Sequence, residues 1–198
     1  KGHDLVMAVP APHSLYMCTA DILRQTTALA RTYDLPQLLH VSETADEVDH
    51  WLEQTDMRPV RWLEDAGVLE AKVTAAHCVH VNLEEMHLLE KWHVGVAHCP
   101  TSNLKLASGI APVAELLSTG VSVGIGTDGC ASNNDLNMFE ELRLAALLPK
   151  GAARSPVAVP AQEAVAMATI YGARALHIDH LTGSLEPGKR ADIIVVDM

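Results

Sequence analysis

The chain has 198 residues, of which 48% are hydrophobic and 20% charged, a composition typical of a globular protein rather than a disordered one. Its formal net charge is -11 at pH 7. Because proteins that bind a phosphate backbone need clustered Lys and Arg, this charge argues against a nucleic-acid partner. The apolar runs are too short for a membrane span of about 18 residues, and the start has no secretory leader pattern. We therefore predict a cytoplasmic protein without a membrane partner.

Short apolar runs alternate with amphipathic stretches, which is the pattern of βα units around a parallel sheet. The predicted strands, in chain order, are Leu5–Val9, Gln37–Val41, Lys72–His77, Val94–His98 and Val121–Thr127. The predicted helices are Asp21–Tyr33, Ala45–Glu53, Pro59–Ala66, Leu83–Lys91, Ala111–Ser118, Leu136–Leu148 and Ala161–Ala175. A turn-rich segment then leads to a final predicted strand, Asp192–Val196.

These elements make five βα units, whereas a closed (β/α)8 barrel has eight and about 250 residues. The fold class predicted is therefore α/β, a TIM-like barrel of which the last five units are present. An open half-barrel leaves strand edges unpaired. We expect these edges to be covered by an N-terminal part of the protein or by another copy, as in a homo-oligomer.

Titratable side chains stand at the ends of four predicted strands: His40, His77, His98 and Asp128. In a barrel these ends share one rim, where such folds carry their active sites. A single His at a strand end is more often a hydrogen-bonded rim residue than a ligand. Four such residues on the same end of successive strands favour an active site.

Glu43 lies three residues after His40, where the strand gives way to a loop. A neutral imidazole binds Zn2+ well, and a neighbouring Glu that is not a ligand can move protons to and from water at the metal. Asp128 offers a hard oxygen ligand that can also accept a proton from that water. The residues therefore point to metal-assisted hydrolysis.

Three segments carry a resemblance to a known family: Thr74 to His80 (TAAHCVH), His98 to Leu106 (HCPTSNLKL) and Gly126 to Asp135 (GTDGCASNND). They resemble the amidohydrolase superfamily, specifically the 5-methylthioadenosine/S-adenosylhomocysteine deaminases. The resemblance implies a barrel of the metal-dependent hydrolase type over residues 1–180. It also implies that residues 181–198 return as a strand to a small β-sandwich.

The resemblance also implies roles for single residues. His40 and Asp128 would be ligands of one Zn2+, with Asp128 also accepting a proton from the attacking water. Glu43 would carry protons to the substrate ring nitrogen and the leaving amine. His77 would orient the attacking water, and His13 would contact the ribose hydroxyls. The substrate implied is a small-molecule adenosine-type thioether nucleoside, bound by His13, Glu43 and His77.

One departure from the family pattern qualifies this prediction. Family members take two further zinc ligands from a His-x-His after their first barrel strand, and this sequence has no such motif. Two protein ligands are fewer than the three of a catalytic zinc site, so the sequence predicts that the chain alone is a fragment that binds zinc poorly and is inactive. The alternatives are a guanine or cytosine deaminase, a triazine chlorohydrolase, or a truncated non-catalytic paralogue. The role of His98, in the pocket or in packing, stays open.

Overall fold

A computed structural model describes residues 5–197 and centres on a parallel sheet. Its four strands, adjacent in chain order, are β1 (Pro36–Val41), β2 (Lys72–His77), β3 (Gly95–His98) and β4 (Val123–Ile125). All neighbouring strands run parallel. Most of their apolar side chains are buried, whereas Leu38, Ala76, Ala97 and Ile125 are partly exposed. Four of the five predicted βα strands and the α/β class are confirmed.

Helices connect and cover these strands. Their bounds are α1 Ala20–Thr32, α2 Ala45–Thr55, α3 Pro59–Asp65, α4 Leu83–Lys91, α5 Pro100–Lys105, α6 Val113–Ser118, α7 Cys130–Asn133, α8 Met138–Ala153, α9 Ala161–Met167 and α10 Ile170–Ala175, with a 3-10 turn at Val68–Glu70. The starts of several helices are fixed by side chains that accept hydrogen bonds from the free backbone N–H groups of the first turn. Thr19 caps α1, and Asn82 forms a capping box with Glu85 on α4.

The predicted first strand, Leu5–Val9, is wrong. Those residues form no strand; instead, the following segment lies along β1. The Leu38 N–H donates to the Pro10 carbonyl at 3.1 Å, and the His40 N–H donates to the His13 carbonyl at 2.9 Å. Pro10 and Pro12 have no N–H, so this segment offers mainly carbonyl acceptors to its neighbour. The pairing brings His13 to the end of β1.

The helix predicted over Ala161–Ala175 is divided into α9 and α10 by Thr169, whose φ of -130° and ψ of -100° are not helical. This break lets α10 cross close over the sheet. A Cβ on Gly95 would lie 2.0 Å from the Ala175 carbonyl oxygen, and one on Gly124 would lie 2.7 Å from the Gly172 Cα. Only glycine fits between sheet and helix at these positions.

The predicted final strand, Asp192–Val196, is also wrong, because residues 191–197 form neither helix nor strand. A strand needs a neighbour for its backbone N–H and C=O groups, and none of the described segments pairs with it. Its apolar side chains are exposed, Val195 by 97%. The division into 1–180 and 181–198 stays a prediction. Within residues 5–197, no helix has the length and apolar character needed to cross a bilayer.

Candidate active site

His40, His77 and Asp128 converge at the carboxyl ends of the strands. Their candidate ligand atoms all lie within 4.8 Å of one another. His40 is the penultimate residue of β1, His77 ends β2, and Asp128 follows β4. Parallel strands bring these ends to one edge of the sheet, so residues 37 to 88 positions apart in the sequence become neighbours.

Hydrogen bonds orient both imidazoles toward this cluster. His40 Nδ1 lies 2.7 Å from the His13 carbonyl oxygen, which can only accept, so Nδ1 carries the proton. His77 Nδ1 lies 2.8 Å from Asn103 Oδ1, which is likewise an acceptor. In each ring the other nitrogen, Nε2, therefore carries the lone pair. Such second-sphere hydrogen bonds are what fix the tautomer of metal-binding histidines.

The histidines form a stack that extends to His13. The ring centroids of His13 and His40 are 4.5 Å apart, and those of His40 and His77 are 5.3 Å apart. His77 is 1% exposed, whereas His13 faces solvent. The stack therefore leads from the buried cluster to the surface and places His13 beside the cluster; its contact with a substrate stays a prediction.

Glu43 lies next to His77, with 3.8 Å between Glu43 Oε2 and His77 Nε2. Its other oxygen, Oε1, accepts from the Ser108 hydroxyl at 3.1 Å. The backbone N–H of Glu43 donates to Glu47 Oε2 at 2.8 Å, so the first turn of α2 holds this segment in place. Burial raises the pKa of Glu47, and its hydrogen bonds from the backbone oppose that rise.

Asp128 accepts a hydrogen bond from the Ser102 hydroxyl at 2.7 Å. Burial works to raise the pKa of Asp128, but hydrogen bonds, led by the one from Ser102, hold it below its ordinary value of 3.8. The carboxylate is therefore ionised at neutral pH and can act as an anionic ligand or proton acceptor.

Consecutive residues of α5 hold two members of the cluster: Ser102 contacts Asp128 and Asn103 contacts His77. Both are at least 99% buried. These residues lie in the segment His98 to Leu106 that carries the family resemblance, but they were assigned no role in the site. The available signal was their place directly after β3, since the loops that follow barrel strands build the rim.

Several site residues occupy the left-handed backbone region. The φ values are 51° for Ser42, 72° for His77, 48° for Cys78 and 60° for Asp128. This conformation is unfavourable for residues with a Cβ and is found at positions that the surrounding structure constrains. After β1, β2 and β4, the chain therefore turns sharply next to a candidate site residue.

His98 is 1% exposed, and neither ring nitrogen has a hydrogen-bond partner among the described residues. Burial, and then the nearby His77, lower the pKa of His98 to about 4. Its ring is therefore neutral at pH 7. It is not part of the cluster of potential ligands, and whether it contacts substrate stays open.

The cluster suits zinc by the chemistry of its donors. Zn2+ is bound by imidazole nitrogen and carboxylate oxygen, and the two Nε2 atoms and the Asp128 carboxylate are of these types. His40 and Asp128 were the predicted ligands; His77 lies close enough to serve as a third ligand or to hold water at the metal.

Comparison with known proteins identifies the family. Residues 1–198 match the amidohydrolase family over their whole length, so the chain belongs to it. It is 46% identical over 197 residues to the 5-methylthioadenosine/S-adenosylhomocysteine deaminase of Moorella thermoacetica, covering 100% of this chain and 46% of that protein. It is 46% identical over 188 residues to the 5'-deoxyadenosine deaminase of Methanococcus vannielii, covering 94% and 44%.

A solved structure gives the same relationship. The chain superposes on an adenosine deaminase from Xanthomonas campestris with bound zinc, with a TM-score of 0.92 and 42% identity, over 96% of this chain and 43% of that one. The predicted family and its α/β hydrolase fold are confirmed. The chain spans about half the length of the relatives it matches.

Proposed function

We propose that the protein is a zinc-dependent hydrolytic deaminase of an adenosine-type thioether nucleoside, S-adenosylhomocysteine or 5-methylthioadenosine, and that it releases ammonia. The observation that carries this proposal is the convergence of His40, His77 and Asp128, with Glu43 3.8 Å from the free nitrogen of His77. The names of the Moorella and Methanococcus relatives, both nucleoside deaminases, support the class of substrate.

His40 and Asp128 would hold the zinc. When bound, the metal would supply a Lewis acid that makes water nucleophilic at neutral pH. His77 Nε2, kept free of a proton by the Nδ1 contact with Asn103, accepts a hydrogen bond from the attacking water and orients it. Asp128, ionised because Ser102 stabilises its charge, accepts a proton from that water.

Glu43 is the residue that we propose moves protons to the substrate. Its carboxylate contacts the Ser108 hydroxyl and lies beside His77, so it is held without being buried in an ion pair. A carboxylate so placed can take one proton of the attacking water and pass it to the ring nitrogen during attack at the amine-bearing carbon. It can then carry the second water proton, held by Asp128, to the departing amine. Glu43 therefore acts as the proton shuttle.

His13 is the proposed contact to the ribose. Its Nδ1 lies 3.0 Å from the Ser14 hydroxyl, and its ring packs on His40 at the outer end of the stack. The ring therefore has a fixed orientation, with its Nε2 edge available to a ligand. A ribose hydroxyl, which both donates and accepts, is a suitable partner for this edge. Cytoplasmic location and self-association remain predictions, as does weak zinc binding by the 198-residue chain alone.

The test is ammonia release by the zinc-loaded complete gene product from both thioether nucleosides, adenosine, guanine and cytosine, with chloride release from a chlorinated triazine measured in parallel. We expect release from the thioether nucleosides, reduced at least about 100-fold by Glu43→Gln, the range for loss of a general acid–base. Glu53→Gln, an exposed position on α2, is the matched control and should leave the rate unchanged.

Each other outcome has a defined meaning. Activity confined to guanine or cytosine would retain the chemistry and replace the substrate. Chloride release from a triazine in place of ammonia would indicate a chlorohydrolase. No release from any compound, with zinc bound, would refute the deaminase proposal and favour a non-catalytic role.

A further inference from the structure

Glu141, on α8, is 0% exposed and accepts hydrogen bonds from two donors on other helices. Its Oε2 accepts from the Thr101 N–H of α5 at 3.0 Å. Its Oε1 accepts from Asn133 Nδ2 of α7 at 2.6 Å. Among residues 5–197, no Lys or Arg forms an ion pair with it. The carboxylate thus joins three helices at a single buried point.

These helices are the ones that support the active site. Thr101 directly precedes Ser102 and Asn103, which hold Asp128 and His77. Asn133 ends α7, the helix that begins two residues after Asp128. The position of the Glu141 carboxylate therefore determines where α5 lies relative to both site residues.

The hydrogen bonding at this point requires a carboxylate. A buried carboxylate costs several kcal/mol unless donors compensate for the lost water, so its presence here needs a reason. Both of its oxygens accept, and Asn133 cannot reverse its amide, because Asn133 Oδ1 already accepts from the Leu136 N–H at 2.8 Å. A glutamine at position 141 would offer one acceptor and would turn its NH2 toward the Asn133 NH2.

We propose that Glu141 is a positioning residue for the deaminase site: through Thr101 it places Ser102 on Asp128 and Asn103 on His77. This inference rests on the proposed function for its catalytic consequence. Glu141 does not reach the substrate. It acts by setting the tautomer of His77 and the orientation of Asp128 at once, which links two residues that lie 51 positions apart in the sequence.

The test uses the complete gene product and three variants. Glu141→Gln should lower zinc affinity, measured by chelator competition, about 10-fold, the lower end of the effect for lost second-sphere contacts. It should lower kcat by a similar factor with KM within about threefold. The 15N shifts of the metal-free His77 ring should show loss of the single Nδ1–H tautomer. Glu140→Gln, exposed on the same helix, is the matched control.

The decisive variant is the double substitution Glu141→Gln/Asn133→Asp. It restores complementarity, because the introduced carboxylate accepts both from the introduced amide and from the Leu136 N–H, while the charge of the pair is unchanged. We expect zinc affinity and kcat to return to within about threefold of the unmodified protein. A general loss of packing would not be repaired by this exchange.

Two results would overturn the inference. One is a folded Glu141→Gln protein with unchanged zinc affinity and His77 spectrum; the other is a double variant no better than the single one. If Glu141→Gln does not fold, Glu141→Asp, which keeps the charge but shortens the reach to the Thr101 N–H, replaces it under the same criteria of zinc affinity and His77 spectrum. If the unmodified protein releases no ammonia, the proposed function fails, while the spectrum of His77 still decides the role of Glu141.

Discussion

Replacing Asn103 by Ala tests whether the tautomer of His77 matters. The change removes the acceptor 2.8 Å from His77 Nδ1 and leaves a buried N–H unpaired. An orphaned buried donor costs about 1–3 kcal/mol, and 1.4 kcal/mol corresponds to a factor of ten in population. If the unpaired N–H costs about 2 kcal/mol, the population of the His77 tautomer with a proton-free Nε2 falls about 30-fold. We expect kcat to fall about 10- to 30-fold.

The assay is ammonia release at saturating nucleoside, together with urea unfolding of each variant. Asn82→Ala is the matched control: it removes the cap of α4, costs about 1 kcal/mol of stability, and lies outside the site. Its kcat should stay within about twofold. If Asn103→Ala loses stability but keeps its kcat, Asn103 only supports packing, and our account of His77 is refuted.

Three further results are expected. Ser102→Ala should raise the pKa of Asp128 and weaken zinc binding about 10-fold in a chelator competition; unchanged affinity would show that the hydroxyl is dispensable. In metal-free protein, the pKa of His98 is about 4 in the folded state and 6.5 in the unfolded state. Its contribution to stability is therefore present above pH 6.5 and is lost as the pH falls toward 4. The loss amounts to up to about 3 kcal/mol. A His98→Gln variant should lose that part of the acid sensitivity, and an identical urea-unfolding pH profile would contradict it. Gly95→Ala should destabilise the fold by about 3 kcal/mol, because the new Cβ would lie 2.0 Å from a backbone oxygen. Gly151→Ala, in α8 with open space around it, should stabilise the fold by about 0.5–1 kcal/mol. Similar unfolding midpoints for the two variants would refute the close packing of α10.

The sheet could be predicted because its strands carry their own signal. A strand buried on both faces is apolar throughout, and β1, β2 and β3 were located to within one residue at each end. The errors in strand prediction lie at the two ends of the chain. Leu5–Val9 and Asp192–Val196 are as apolar as true strands. Whether such a run forms a strand depends on a neighbour, which the run itself does not encode.

The site was predictable only in part, for a related reason. His40, His77 and Asp128 come together because parallel strands end at one edge, which follows from the order of elements. Ser102, Asn103 and Glu141 were not assigned, because their roles depend on how short helices pack on one another. Polar residues in such helices have the same appearance in the sequence whether they face solvent or a buried carboxylate.

The left-handed backbone at Ser42, His77, Cys78 and Asp128 means that selection for stability and selection for activity favour different residues. Glycine adopts this conformation without strain, so glycine substitutions would relieve strain at all four positions. At His77 and Asp128 they would also remove the side chains that the proposed chemistry needs. A library screened for heat resistance alone could therefore accept changes there that abolish activity. Glycine at position 42, where the buried Ser42 hydroxyl has no hydrogen-bond partner among the described residues, is the change to try when greater stability is wanted; at Cys78 it would remove a buried core side chain.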